Sequence, residues 1–189
     1  MTQLRRLFFA LWPQDSWSSR LIETAAPVLG AAGGRALARV DLHVTLCFLG
    51  AVDEAQFAAL CVRAGQIEAA SFELEFDRLE FWREARIVTA TVTRVPAAAL
   101  ELAQALATAA REVGLAPDLK AWRPHVTLAR GLAPQRLPAE LAGDAWPALR
   151  LKLPVARFYL AESQGLGAQV CGASEARRYA TLASWPLRP

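Results

Sequence analysis

The strongest constraint in this chain is a tetrapeptide that occurs twice, as His43-Val44-Thr45-Leu46 and as His125-Val126-Thr127-Leu128. Both copies lie in apolar, β-prone stretches, Val40 to Leu49 and Trp122 to Gly131, so both are read as strands. Side chains alternate between the faces of a strand, which sets His and Thr on one face and Val and Leu on the other. Each copy thus offers an imidazole beside a hydroxyl. These are the only two histidines in 189 residues. A single His on such a strand is ordinarily a half-buried, hydrogen-bonded polar residue. Two identical copies that use up the chain's histidine point instead to a shared chemical task.

Unperturbed imidazole titrates near pH ~6.5, so two of them supply one neutral base and one charged acid at the same pH. That pairing suits in-line displacement at phosphorus, with a proton taken from the entering oxygen and another given to the departing one. The Thr45 and Thr127 hydroxyls, with an arginine, would donate to the non-bridging oxygens. Arg130 is the candidate cation, five residues beyond His125. Strict alternation sets it on the opposite face, so its use requires a bulge or a strand end. Parity places Phe48 with Val44 and Leu46 as a core residue. It sets Cys47 beside His43 and Thr45, although a Cys-His nucleophile lacks an orienting third residue. Cys47, Cys61 and Cys171 form no CxxC and the histidines no HxxxH, so no metal ligand set and no cofactor is expected.

Hydrophobic residues at 54% and charged residues at 21% exclude a disordered chain. Apolar runs such as Leu7 to Trp12 are too short to span a membrane and no signal-peptide pattern opens the chain, so a soluble, cytoplasmic monomer is expected. Three cysteines without framework spacing fit free thiols in a reducing compartment. Arginine supplies 19 of the 21 basic residues, but a net charge of +3 permits an anionic partner without demanding one.

In order, the pattern predicts a strand over Leu4 to Leu11 and a helix from Asp15 or Ser16 to about Leu29, stopped by Gly30 to Gly34. The first His strand follows, then a helix from Glu54 to about Ala69, a strand over Phe72 to Phe81, and another over Arg86 to Val95. A helix from Pro96 to Val113 is ended by Gly114, and the second His strand comes next. Leu132 to Pro147 reads as a surface excursion, Leu149 to Ala161 as a strand kinked at Pro154, Gly165 to Gly172 as a loop, and Arg177 to Leu182 as a last strand. Overlaying the tetrapeptides gives an offset of 125 minus 43, or 82, at which strand, helix and His-Thr strand recur. Residues 1–189 are therefore read as a single bilobed domain with an approximate internal repeat.

These residues resemble the 2H phosphoesterase family, in its bacterial and archaeal branch of RNA 2′,3′-cyclic phosphodiesterases, also called 2′-5′ RNA ligases. Arg6 to Leu11 looks like the branch's opening strand, Leu42 to Leu46 with Phe48-Leu49-Gly50 its first HxTx block, and Arg123 to Arg130 its second. Tyr179 to Leu182 with Trp185-Pro186-Leu187 matches its ending. One departure is visible: Ala161 stands before Glu162-Ser163 where the branch often has Tyr.

The resemblance implies an α+β, bilobed fold, two antiparallel sheets flanking a central cleft with helices on the outside. It implies metal-free opening of a 2′,3′-cyclic phosphate to a 2′-phosphomonoester on RNA ends or small cyclic nucleotides. By position His43 would be proton donor and His125 acceptor, with Thr45, Thr127 and Arg130 on the phosphate. Ligation through 2′-5′ bonds would be the reverse direction. The alternatives are a non-catalytic nucleotide or RNA-binding module using the same cleft, and a phosphodiesterase for 2′-5′-linked oligonucleotides.

Overall fold

A computed structural model describes residues 4–32, 34–117, 121–132, 148–164 and 177–189. Alternation in the opening segment becomes β1 (Arg5–Leu11), with Leu7, Phe9 and Leu11 in the main core and Phe8 and Ala10 on the opposite face beside Trp12. After α1 (Asp15–Ala32) come a two-residue strand, β2 (Arg35–Ala36), a 3-10 turn over Arg39–Asp41, and β3 (Val44–Val52). The chain continues through α2 (Glu54–Gly65), β4 (Phe72–Phe76), β5 (Arg78–Trp82), β6 (Ile87–Thr91) and α3 (Ala97–Glu112). It ends with β7 (His125–Arg130), β8 (Leu151–Val155), β9 (Arg157–Ser163) and β10 (Tyr179–Pro186).

The strands form an α+β architecture with two antiparallel sheets. The large one runs β10-β9-β1-β3-β7-β6-β5, with β2 added along β7; the small one is β4-β8. The large sheet is itself made of two halves, because β3 and β7 are paired only at Val44 and Val126. Helices cover its core face. In α3, Ala99, Leu102, Ala103, Leu106 and Ala110 recur at helical spacing and are buried beneath β3. Burying each such leucine contributes roughly 1.5–3 kcal/mol. Asp53 starts α2 with a reciprocal cap, its carboxylate taking the Gln56 N–H at 2.8 Å while the Gln56 side chain takes the Asp53 N–H at 3.2 Å. Among the described residues no helix is long and apolar enough to cross a membrane.

Several boundaries differ from the sequence reading. Phe72 to Phe81 is two strands in two sheets, broken at Asp77, whose carboxylate takes the N–H and hydroxyl of Thr93 at 3.1 Å each. Leu149 to Ala161 is broken at Ala156, not at Pro154; Pro154 stays in β8, opposite Glu73 in a two-stranded sheet where a missing donor is tolerated. Helix α1 runs through Pro27 and past Gly30, because Leu21, Ala25 and Val28 keep one continuous buried face. Helix α2 stops at Gly65, and the chain beyond it pairs with the C-terminus through Ala69 and Ser71 to Arg188. The expected excursion, beyond Leu132, and the Gly165 to Gly172 loop lie outside the described residues.

Candidate active site

Val44 and Val126 face each other across the centre of the large sheet, and both are fully buried. Alternation then sends their neighbours to the opposite face. His43 and Thr45 flank one valine, His125 and Thr127 the other, and the antiparallel register carries Thr45 toward His125 and His43 toward Thr127. Side chains directly opposite on such strands lie about 4.5–5.5 Å apart at Cβ. The four residues singled out in the repeat therefore share one face at the seam of the two halves.

The leucine that closes each tetrapeptide is a β-bulge. On β3, Phe9 is paired with Cys47 and Ala10 with Thr45, which leaves Leu46 unopposed. On β7, Val88 is paired with Ala129 and Thr89 with Thr127, which leaves Leu128 unopposed. An extra residue on one strand reverses the parity of the residues that follow, on β3 as far as Leu49, which is unopposed in turn between the Phe8–Phe48 and Leu7–Gly50 pairs. Arg130, opposite Ile87, accordingly lies on the same face as Thr127 and His125. Phe48, opposite Phe8, lies on the face of Thr45 and is 42% exposed, with the Arg6 guanidinium 4.9 Å from its ring centre. Reading Phe48 as core is thus corrected, and so is Cys47, which the bulge turns into the core, where burial pushes its thiol up to about 11.

Each imidazole is oriented in the same way. The Asp41 carbonyl accepts from Nδ1–H of His43 at 2.7 Å, and the Arg123 carbonyl accepts from Nδ1–H of His125 at 2.8 Å. A carbonyl can only accept, so both rings are the Nδ1–H tautomer with Nε2 as the remaining acceptor. The 3-10 turn that displaces the expected strand start brings the Asp41 carbonyl to His43.

The surroundings of the rings differ. His43 is stacked on Trp12 at 5.0 Å, with Phe8 at 5.1 Å and the edge of Tyr179 at 4.7 Å. Burial in that cage pushes its pKa down to about 4, with Arg130 and His125 adding to the effect and the Asp41 hydrogen bond opposing it. His125 is against Trp82 at 4.5 Å; burial lowers its pKa, and the positive charges of Arg123 and Arg130 act in the same direction. Arg130 is therefore within electrostatic reach of both rings. Arg130→Gln is expected to raise both imidazole pKa values, an outcome that NMR titration of the two ring signals checks directly.

Sequence reasoning missed the residues around this core. Trp12 and Trp82 carry no motif, Tyr179 is known only as part of the matching C-terminal ending, and all three reach the histidines through the arrangement of the sheet. Trp122 donates Nε1–H to the Thr45 carbonyl at 2.8 Å, tying the segment before β7 to β3. A groove of about 640 Å³ opens beside His125 and Thr45, walled by Phe48, Trp82, Trp122 and Arg123. Its size is within the roughly 300–1,000 Å³ of small-molecule sites. At the departure noted in the sequence, Ala161 is buried opposite Phe8, and the aromatic ring beside Phe8 comes from Tyr179 on the next strand, at 5.2 Å. Among the described residues no three His, Cys, Asp or Glu side chains gather as a metal site.

With this geometry in view, comparison with known proteins is specific. Residues 13–166 match the 2′-5′ RNA ligase superfamily. The chain belongs to that family. The RNA 2′,3′-cyclic phosphodiesterase of Escherichia coli (strain K12) is 32% identical over 130 residues, 69% of this chain and 74% of that protein. E. coli LigT solved with 3′-AMP superposes with a TM-score of 0.81 at 28% identity, over 98% of this chain and 99% of that one. A Thermus thermophilus protein, TT0787, shares the fold, with a TM-score of 0.76 at 23% identity, over 97% and 98% of the two chains. A 2H phosphoesterase of this superfamily thus has, in this chain, both histidines on one face at a single inter-strand seam.

Proposed function

We propose that the protein hydrolyses RNA or nucleoside 2′,3′-cyclic phosphates to 2′-phosphomonoesters without a metal, using His43 as proton donor and His125 as proton acceptor. The observation that carries this reading is the convergence of His43, Thr45, His125 and Thr127 on one face of the Val44–Val126 seam, with each Nδ1 held by a carbonyl. Water gives a proton to Nε2 of His125 as its oxygen attacks phosphorus. The bond from phosphorus to the ribose 3′ oxygen breaks, and Nε2 of His43 supplies that oxygen's proton. Thr45, Thr127 and Arg130 meet the non-bridging oxygens, where negative charge grows. With an RNA 5′ hydroxyl entering in place of water, the same displacement would break the bond to the 3′ oxygen and leave the two RNAs joined through a 2′-5′ bond.

The electrostatics fit an anionic substrate. Buried rings beside Arg130 resist a proton in the absence of substrate, and a phosphodiester anion between them reverses that preference for one ring. Aromatic walls on the groove suit a stacked base, which favours a nucleotide over a bare phosphate. Strand, helix and His-Thr strand at an offset of 82 support reading the chain as one bilobed domain, each half contributing one His and one Thr.

The test is turnover of a nucleoside 2′,3′-cyclic phosphate with EDTA present, with the product's phosphate located by phosphorus NMR. Conversion to the 2′-monophosphate is expected. Saturable binding without conversion would instead favour a binding module, and cleavage confined to 2′-5′-linked dinucleotides would favour that substrate class.

A further inference from the structure

The carbonyls that orient the two histidines belong to differently supported residues. Asp41 is within a 3-10 turn, and its buried carboxylate takes the backbone N–H of Arg178 at 2.9 Å. Arg123 sits in the stretch 121–124, which has no regular structure, immediately before Pro124. A carbonyl in such a stretch holds its direction only if the residue is tethered elsewhere.

Trp122, next to Arg123, is held by the Thr45 carbonyl, and Glu80 on β5 tethers Arg123 itself. One carboxylate oxygen, Oε2, accepts from Arg123 Nη2 at 3.1 Å and from Trp82 Nε1–H at 2.8 Å. The Arg123 guanidinium lies over the Trp82 ring at 4.9 Å, and Trp82 packs on His125 at 4.5 Å. The contacts close a loop: Glu80 holds Arg123 and Trp82, Arg123 orients His125 through its carbonyl, and Trp82 fixes the ring's other side. Arg78 stands farther from the carboxylate, at 3.9 Å. Beyond any lining role for Arg123, we propose that Glu80 is a positioning residue that sets the tautomer and orientation of His125 through Arg123 and Trp82.

This inference rests on the proposed activity for its kinetic readout and on nothing but the geometry for its spectroscopic one. Glu80→Ala removes both tethers. Glu80→Gln keeps an oxygen able to accept from both donors and loses the charge. In nitrogen NMR of labelled histidine, wild-type His125 is expected to show a single Nδ1–H tautomer, Glu80→Ala a mixture of tautomers, and Glu80→Gln a return toward the wild-type pattern. With a nucleoside 2′,3′-cyclic phosphate, Glu80→Ala is expected to lower kcat at least about tenfold with KM changed less than about twofold, since small misplacements of a reacting group are costly. Glu80→Gln should recover most of that loss. An unchanged tautomer signal in Glu80→Ala, a kcat within about twofold of wild type, or a raised KM with kcat intact would each overturn the proposal. If the wild-type protein turns over no cyclic phosphate, the proposed function fails, and the tautomer signal still decides the role of Glu80.

Discussion

Replacing either His43 or His125 by alanine is expected to lower kcat on a cyclic phosphate by about 10² to 10⁴-fold, the range that a positioned proton donor or acceptor supplies. KM should move much less, because the phosphate contacts proposed for Thr45, Thr127 and Arg130 would remain. The two losses are not expected to multiply in the double variant, since each proton transfer is of use only when the other is in place. His43 is enclosed by Phe8, Trp12 and Tyr179, so alanine also opens a void there. His43→Gln fills more of that space and serves as the control, with thermal unfolding measured beside kcat. A properly folded variant of either histidine that kept wild-type turnover would end the case for a proton relay.

Acid should destabilise the substrate-free protein through His43 in a defined window. The ring titrates near pH ~6.5 when unfolded and at about pH 4 when folded, because burial disfavours its charged form. Between those values the unfolded chain binds a proton that the folded chain does not, so stability falls as pH is lowered. At about 1.36 kcal/mol per pH unit the loss from this one ring amounts to about 3 kcal/mol, complete near pH ~4 and absent above about pH 6.5. His125, whose pKa is also lowered by burial, adds to it in the same direction. Urea midpoints at about pH 4.5 and about pH 7.5 measure the effect, and His43→Gln should remove most of His43's share. An equal slope in wild type and variant would show that the ring is not what titrates.

Much of this was legible in the residues. The doubled tetrapeptide, the helical spacing of Leu102 and Leu106, and the cap at Asp53 all act locally, and local periodicity reports them faithfully. The sheet switch at Asp77 was hidden because apolar side chains recur on both sides of it, from Phe76 to Leu79, and periodicity says nothing about which partner a strand takes. The bulges at Leu46 and Leu128 were hidden for a related reason. A bulge is a relation between two strands, and neither strand alone records it. Trp12, Tyr179, Trp82 and Glu80 surround the histidines only because β1, β10 and β5 are arranged as they are in the sheet, so no spacing rule points to them.

Those two unopposed leucines make positions 48 and 130 matching sockets in strands built alike, yet one is filled by a flat hydrocarbon ring and the other by a guanidinium. A nucleotide seated at the seam as proposed would meet an aromatic face backed by Arg6 on one rim and the Arg130 guanidinium on the other, which would give a nearly symmetric frame a direction. Removing one residue between Thr45 and Phe48 would do more than shorten a strand. It would swing Phe48 inward at the point where β3 pairs with Phe8, the ring that packs on His43, so the aromatic rim would be lost and one wall of the first histidine's cage would shift with it.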